Sequence, residues 1–145
     1  MQAVVSKAAS AKFVNFPNTP DCITGAVESG DPEHGPSMLL AKFAPGCAAP
    51  WHFHTPNEQV MLINGALQVQ MKDGQPVLMH RGDFVLAPSH HIHMAKCTGA
   101  APCLMFLYSD AAFDIHYVDA AGAEIPLGDA LKAPSTVKTA VESGK

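Results

Sequence analysis

The chain has 145 residues, of which 48% are hydrophobic and 15% charged, with a formal net charge of −4. That length and balance describe one folded domain with a core of its own and exclude general disorder. Lys and Arg are scattered singly, which excludes a phosphate-binding patch and nucleic acid as a partner, and no apolar run reaches the length of a membrane span.

In chain order, the opening MQAVVSKAASAKF lacks the long apolar stretch of an intact signal peptide. Residues 1–15 read as an arm, 16–127 as the globular domain and 128–145 as a C-terminal tail, with a short helix or turn after Pro126. Twelve Pro and eleven Gly punctuate short apolar runs, the rhythm of an all-β domain. Strands are predicted over 23–27, 38–43, 49–54, 58–64, 66–71, 77–79, 84–87, 93–96, 103–108 and 113–118. In the fifth, Leu67, Val69 and Met71 alternate with Gln68 and Gln70, which predicts one dry and one wet face. Asn64-Gly65 and Asp73-Gly74 suit type I′ hairpin turns. Many short strands at close spacing predict a sandwich or a barrel.

Four cysteines, Cys22, Cys47, Cys97 and Cys103, include no zinc-binding CxxC. They are expected to be buried free thiols acting as small apolar residues; Cys97 and Cys103 facing each other across a hairpin is the alternative.

Six of the eight histidines lie between positions 52 and 93. Residues i and i+2 of a strand share a face about 6.6 Å apart, so His52 and His54 present two imidazoles to one side while Trp51 and Phe53 take the other. The turn Thr55-Pro56-Asn57 brings Glu58 back toward them. His93, after a turn at Pro88, is the best third nitrogen. His90 and His91 are candidates for a general base, with a solvated turn as the simpler reading. Met61, Phe84, Leu86, Phe106 and Tyr108 are expected either to shape an apolar pocket or to fill the core. His34, His80, Arg81, Asp83 and His116 are assigned no role.

The segment GCAAPWHFHTPNEQVMLING, Gly46 to Gly65, matches the pattern G-x5-H-x-H-x3-E-x6-G at every defined position. GDFVLAPSHHIHMAKC, from Gly82, resembles G-x5-P-x-G-x2-H-x3-N through Gly82, Pro88 and His93, with His90 in place of the second Gly and Cys97 in place of Asn. Together they resemble the two motifs of the cupins. His at position 90 implies a left-handed backbone there. A softer similarity to small single-domain bacterial cupins, many of them exported, extends over residues 16–127.

The resemblance implies an all-β, single-domain double-stranded β-helix (a jelly-roll barrel), paired as a homodimer. It implies one divalent transition metal held by His52, His54, Glu58 and His93. Three imidazoles and a carboxylate suit Mn, Fe, Co, Ni, Cu or Zn, with Fe or Mn expected first. The implied function is a metal-dependent enzyme on a small oxygen-chelating organic substrate, either dioxygenase-like or a manganese-dependent lyase such as a hydroxynitrile lyase. The alternatives are a metal- or ligand-binding stress sensor, with a reactive thiol at Cys47 or Cys97, and a closed structural metal site. The expected compartment is the bacterial cytoplasm or periplasm.

Overall fold

The computed structural model describes residues 1–133. Eleven strands run in chain order: β1 (Ile23–Gly30), β2 (Ser37–Phe43), β3 (Ala48–Phe53), β4 (Glu58–Asn64), β5 (Ala66–Met71), β6 (Val77–Met79), β7 (Phe84–Ala87), β8 (His93–Thr98), β9 (Cys103–Ser109), β10 (His116–Val118) and β11 (Glu124–Ile125). A short helix, α1 (Leu127–Lys132), follows Pro126, and a single 3-10 turn spans Ala8–Ser10 in the exposed N-terminal arm. The part of the expected tail beyond residue 133 lies outside the described residues.

The strands form two antiparallel sheets, β1-β2-β9-β4-β7 and β11-β10-β3-β8-β5-β6, the two walls of a jelly roll. Alternation decides what faces inward. Glu58, Val60 and Leu62 of β4 are buried, whereas Gln59 and Met61 between them are exposed. Phe43, Val60, Leu62, Leu67, Val69, Met79 and Met105 pack between the sheets. A second cluster, Ile115, Tyr117 and Ala130, seats α1 against one end.

The two predicted hairpins come out differently. Asn64-Gly65 passes the chain from one sheet to the other, because β4 and β5 belong to different sheets. Only Gly65 has a positive φ, of 88°, and a Cβ there would lie 2.6 Å from the Pro102 carbonyl oxygen. Asp73-Gly74 does lie in a hairpin, between β5 and β6, but only Asp73 is left-handed, so the turn is not type I′. The expected wet face of β5 also fails at Gln68, which is 2% exposed.

The free-thiol expectation is overturned. Cys22 bonds to Cys47, and Cys97 to Cys103, with Cα–Cα separations of 5.8 and 5.7 Å. The second bridge is not across a hairpin, since β8 and β9 lie in opposite sheets. The two bridges sit side by side, as the Cys97 N–H donates to the Cys47 carbonyl at 2.8 Å. The low cysteine density concealed this, because two bridges suffice to tie one end of a barrel.

Candidate metal centre

At the opposite end of the strands, the clustered histidines converge. Pro50 interrupts β3 with a register shift between Ala49 and His52, after which His52 pairs directly with His93 of β8. His54 follows at i+2, so its ring comes to 4.8 Å from that of His52, centroid to centroid; His52 and His93 are 4.3 Å apart. The ring nitrogens available from His52, His54 and His93 lie within 4.8 Å of one another, and the group could hold a metal ion. All three residues are buried, at 4–5% exposure.

Glu58 enters through the turn Thr55-Pro56-Asn57. Asp110 holds that turn by accepting from the Asn57 N–H at 2.9 Å and from its side-chain amide at 2.8 Å. Ser89 binds it from the other side, donating its N–H to Asn57 Oδ1 and its hydroxyl to the Thr55 carbonyl. Glu58 Oε2 then lies 3.1 Å from His54 Nε2, and Oε1 4.0 Å from His93 Nε2.

The tautomers follow from what the other ring nitrogens touch. His52 Nδ1 donates to the Pro50 carbonyl at 2.5 Å, His54 Nδ1 to the Asp114 carbonyl at 2.6 Å, and His93 Nδ1 to the His91 carbonyl at 2.8 Å. A proton is thereby placed on each Nδ1, which leaves Nε2 as the nitrogen available to a metal. Burial, with the neighbouring imidazoles, pushes the His52 pKa well below its ordinary value, and burial likewise lowers that of His93. The lowered values of His52 and His93 favour their neutral forms. Glu58 Oε2 is buried with no hydrogen-bond partner, although His54 Nε2 is 3.1 Å away. Three converging imidazoles, with a buried carboxylate that has an unpaired oxygen beside them, form a site complementary to a cation.

Asp114 is the residue that motif spacing could not reveal, lying 60 positions from His54 in sequence. Its carbonyl orients the His54 ring while its carboxylate binds the Thr55 N–H at 2.7 Å and the Thr55 hydroxyl. Burial alone would raise this carboxyl; the hydrogen bonds from Thr55 and His116 outweigh it and hold its pKa below the ordinary value.

His90 and His91 are exposed and do not line the cavity at the metal centre. His90 does adopt the left-handed conformation, φ 63°, and its ring stacks on Phe53, which is sandwiched by His116. His91 contributes its carbonyl to His93. The apolar residues expected around a pocket also point elsewhere. Met61, Phe84, Leu86 and Phe106 are 41–54% exposed on the outer face, while their strand neighbours Val60, Val85, Ala87, Met105 and Leu107 line the cavity. The parity was one residue off, and the inward-pointing Glu58 sets it.

Residues 39–109 match the cupin domain family, and the chain contains a domain of the cupin superfamily. Among solved structures it resembles the polyketide cyclase RemF from Streptomyces resistomycificus, at 16% identity and a TM-score of 0.66, over 81% of this chain and 87% of that one. It also resembles KdgF from Halomonas sp., at 19% identity and a TM-score of 0.61, over 75% and 94% of the respective chains. A third is the DMSP lyase DddQ from Ruegeria pomeroyi DSS-3, at 19% identity and a TM-score of 0.59, over 81% and 61%. At these identities the likeness establishes the fold. No curated protein matches the sequence. No helix among the described residues is long and apolar enough to cross a membrane.

Proposed function

We propose that His52, His54, Glu58 and His93 bind one divalent transition metal, with Fe or Mn as the working ion. On this reading the chain is an enzyme acting on a small oxygen-chelating molecule, dioxygenase-like or a manganese-dependent lyase. The observation that carries this is the convergence of three buried histidines beside a cavity, with the buried Glu58 carboxylate 3.1 Å from one of them and 4.0 Å from another. Four protein donors leave positions open on an octahedral ion, and a bound metal would supply Lewis-acid polarisation of a chelated oxygen. The chain's own groups hold the geometry: the Pro50, His91 and Asp114 carbonyls fix the rings, and the Asp110–Asn57–Ser89 network fixes Glu58. That fold neighbours include a polyketide cyclase and a DMSP lyase is consistent with an enzyme.

The sensing alternative needs a reactive thiol at the metal, and the geometry disfavours it. Cys47 and Cys97 are both in disulfides. His52 lies five steps along the strand from Cys47, about 16 Å at 3.3 Å per residue. The same disulfides support maturation in an oxidising compartment, the periplasm rather than the cytoplasm.

Metal content per chain, measured by mass spectrometry on protein purified without chelators, tests the reading. The wild type should carry about one equivalent, and His52→Ala and Glu58→Gln should each lose most of it. Folded wild-type protein that takes up no Fe, Mn or Zn would refute it.

We further propose that two copies pair through the outer face of the five-stranded sheet. On β4, β7 and β9 the outward positions are Gln59, Met61, Ile63, Phe84, Leu86, Leu104, Phe106 and Tyr108, an uncharged patch bordered by Lys42 of β2 opposite Leu104. Four half-exposed large apolar side chains offer on the order of 400 Å², a patch size that marks interfaces. With the flanking residues this approaches the ~800 Å² per partner of a stable interface. An uncharged face is complementary to itself, which suits a two-fold pair. Sedimentation velocity should show a dimer, and Phe84→Glu or Phe106→Glu should yield monomers with metal content unchanged. A monomeric wild type would refute the pairing.

A further inference from the structure

The cavity behind the metal centre is lined by the inward faces of both sheets, including Leu39, Phe43, Val60, Val69, Met105 and Leu107. Besides the four metal-site residues, its lining includes only two polar side chains, Thr19 and Thr24. The Thr19 hydroxyl is already committed, donating to the Phe16 carbonyl at 2.6 Å and accepting from Asn15 at 3.1 Å. No cation and no carboxylate other than Glu58 reaches the wall. The space open to the centre of a water molecule is about 90 Å³. That is less than the ~150 Å³ of a dry engineered cavity that accepts benzene.

The mouth is equally specific. The segment after the N-terminal arm crosses it, pinned where Val14 and Gly25 exchange backbone hydrogen bonds at 2.9 Å. It is pinned again where the Tyr117 hydroxyl donates to the Asn18 carbonyl at 2.8 Å. This brings Phe16 edge-on to Phe113, 6.2 Å between centroids, with Phe113 5.4 Å from the His54 ring. A surface groove that includes Val14, Pro17 and Pro32 shares Phe16, Phe113 and Ile115 with the inner cavity. These three side chains are therefore the wall between the metal centre and solvent on that side.

We propose that the cavity selects a ligand with one oxygen-chelating head and a small, uncharged, apolar body of fewer than about six carbons, its size bounded by Phe16 and Phe113. The head would meet the metal; apart from the Thr24 hydroxyl, the body meets side chains with no free hydrogen-bonding group. A sugar acid or a zwitterion would bury hydroxyls or charges against that wall unpaired, and is rejected. This rests on the metal-binding reading above and adds to it the chemistry of the part of the ligand that does not touch the metal.

The test is calorimetric titration of the metal-loaded chain with acetylacetone, benzoylacetone and glucuronate, metal content being measured before and after. Acetylacetone should bind, and glucuronate at least about 100-fold more weakly. Benzoylacetone, too large for the wild type, should gain tenfold or more in Phe16→Ala and in Phe113→Ala, with metal content unchanged. Glucuronate binding as tightly as acetylacetone would overturn the proposal, as would benzoylacetone affinity that neither substitution alters. A metal-free sample separates the two readings: 2-butanone should still give saturation-transfer signals and glucuronate none. Loss of metal binding with 2-butanone retained defeats only the metal reading, whereas absence of 2-butanone binding defeats the apolar cavity.

Discussion

Each of the three buried imidazoles commits its Nδ1 proton to a backbone carbonyl. This fixes how the metal-free chain responds to acid. The pKa values of His52 and His93 are lowered in the folded state, so below the ordinary imidazole value of about 6.5 the unfolded chain takes up protons that the folded one refuses. Their contribution is present in full above about pH 6.5 and is lost as pH falls toward the lowered folded values. Denaturant titrations of metal-free protein should show the midpoint dropping between about pH 6.5 and 5, and less so in His52→Ala. Asp114 gives a second expectation at this scale. Asp114→Ala releases Thr55 and loosens the carbonyl that orients His54, and metal affinity should fall about 10- to 100-fold with the fold intact, as read by competition with a chelator. That His52, His54 and Glu58 come together was legible because their spacing is local, and His93 was reached through the second motif. Asp114, Phe16 and Phe113 were not, because they reach the site through tertiary contacts that leave no period in the sequence.

Strand alternation explains most of what could be read about the elements. Ten of the strands were placed from apolar runs and turn residues; the two-residue β11 was too short to leave a pattern. The run 113–118 was read as wholly strand, yet only His116–Val118 pairs, and Phe113 to Ile115 form the loop that touches His54 and the mouth. Asn64-Gly65 misled because a positive-φ glycine serves a crossing between sheets as well as a hairpin. The disulfides act at this scale too. The Cys22–Cys47 bridge closes a loop with a sequence separation of 25 and ties the entry of β1 to the entry of β3. Replacing both with Ala should cost about 3 kcal/mol, and the six-residue Cys97–Cys103 closure about 2 kcal/mol, by the entropy of the loops released. Urea unfolding of the two double variants would measure both, and metal stoichiometry should hold in each, because the bridges lie at the other end of the strands.

Across the whole molecule, function and reinforcement occupy opposite ends of one barrel. The metal centre, the Asp114 loop and the Phe16–Phe113 wall gather where β3 ends and β4 and β8 begin; the two disulfides gather where β3 and β9 begin and β8 ends. A covalently closed base and a rim held only by hydrogen bonds and packing do not loosen together. Amide exchange should therefore run as a gradient along the strands, fastest at 54–57 and 110–115 and slowest around Cys47, Cys97 and Cys103. Heat should open such a vessel from the top, so that an ion bound there would depart while the floor is still sealed. Recovering it requires the rim to re-form around a new ion, and the chain need not fold again.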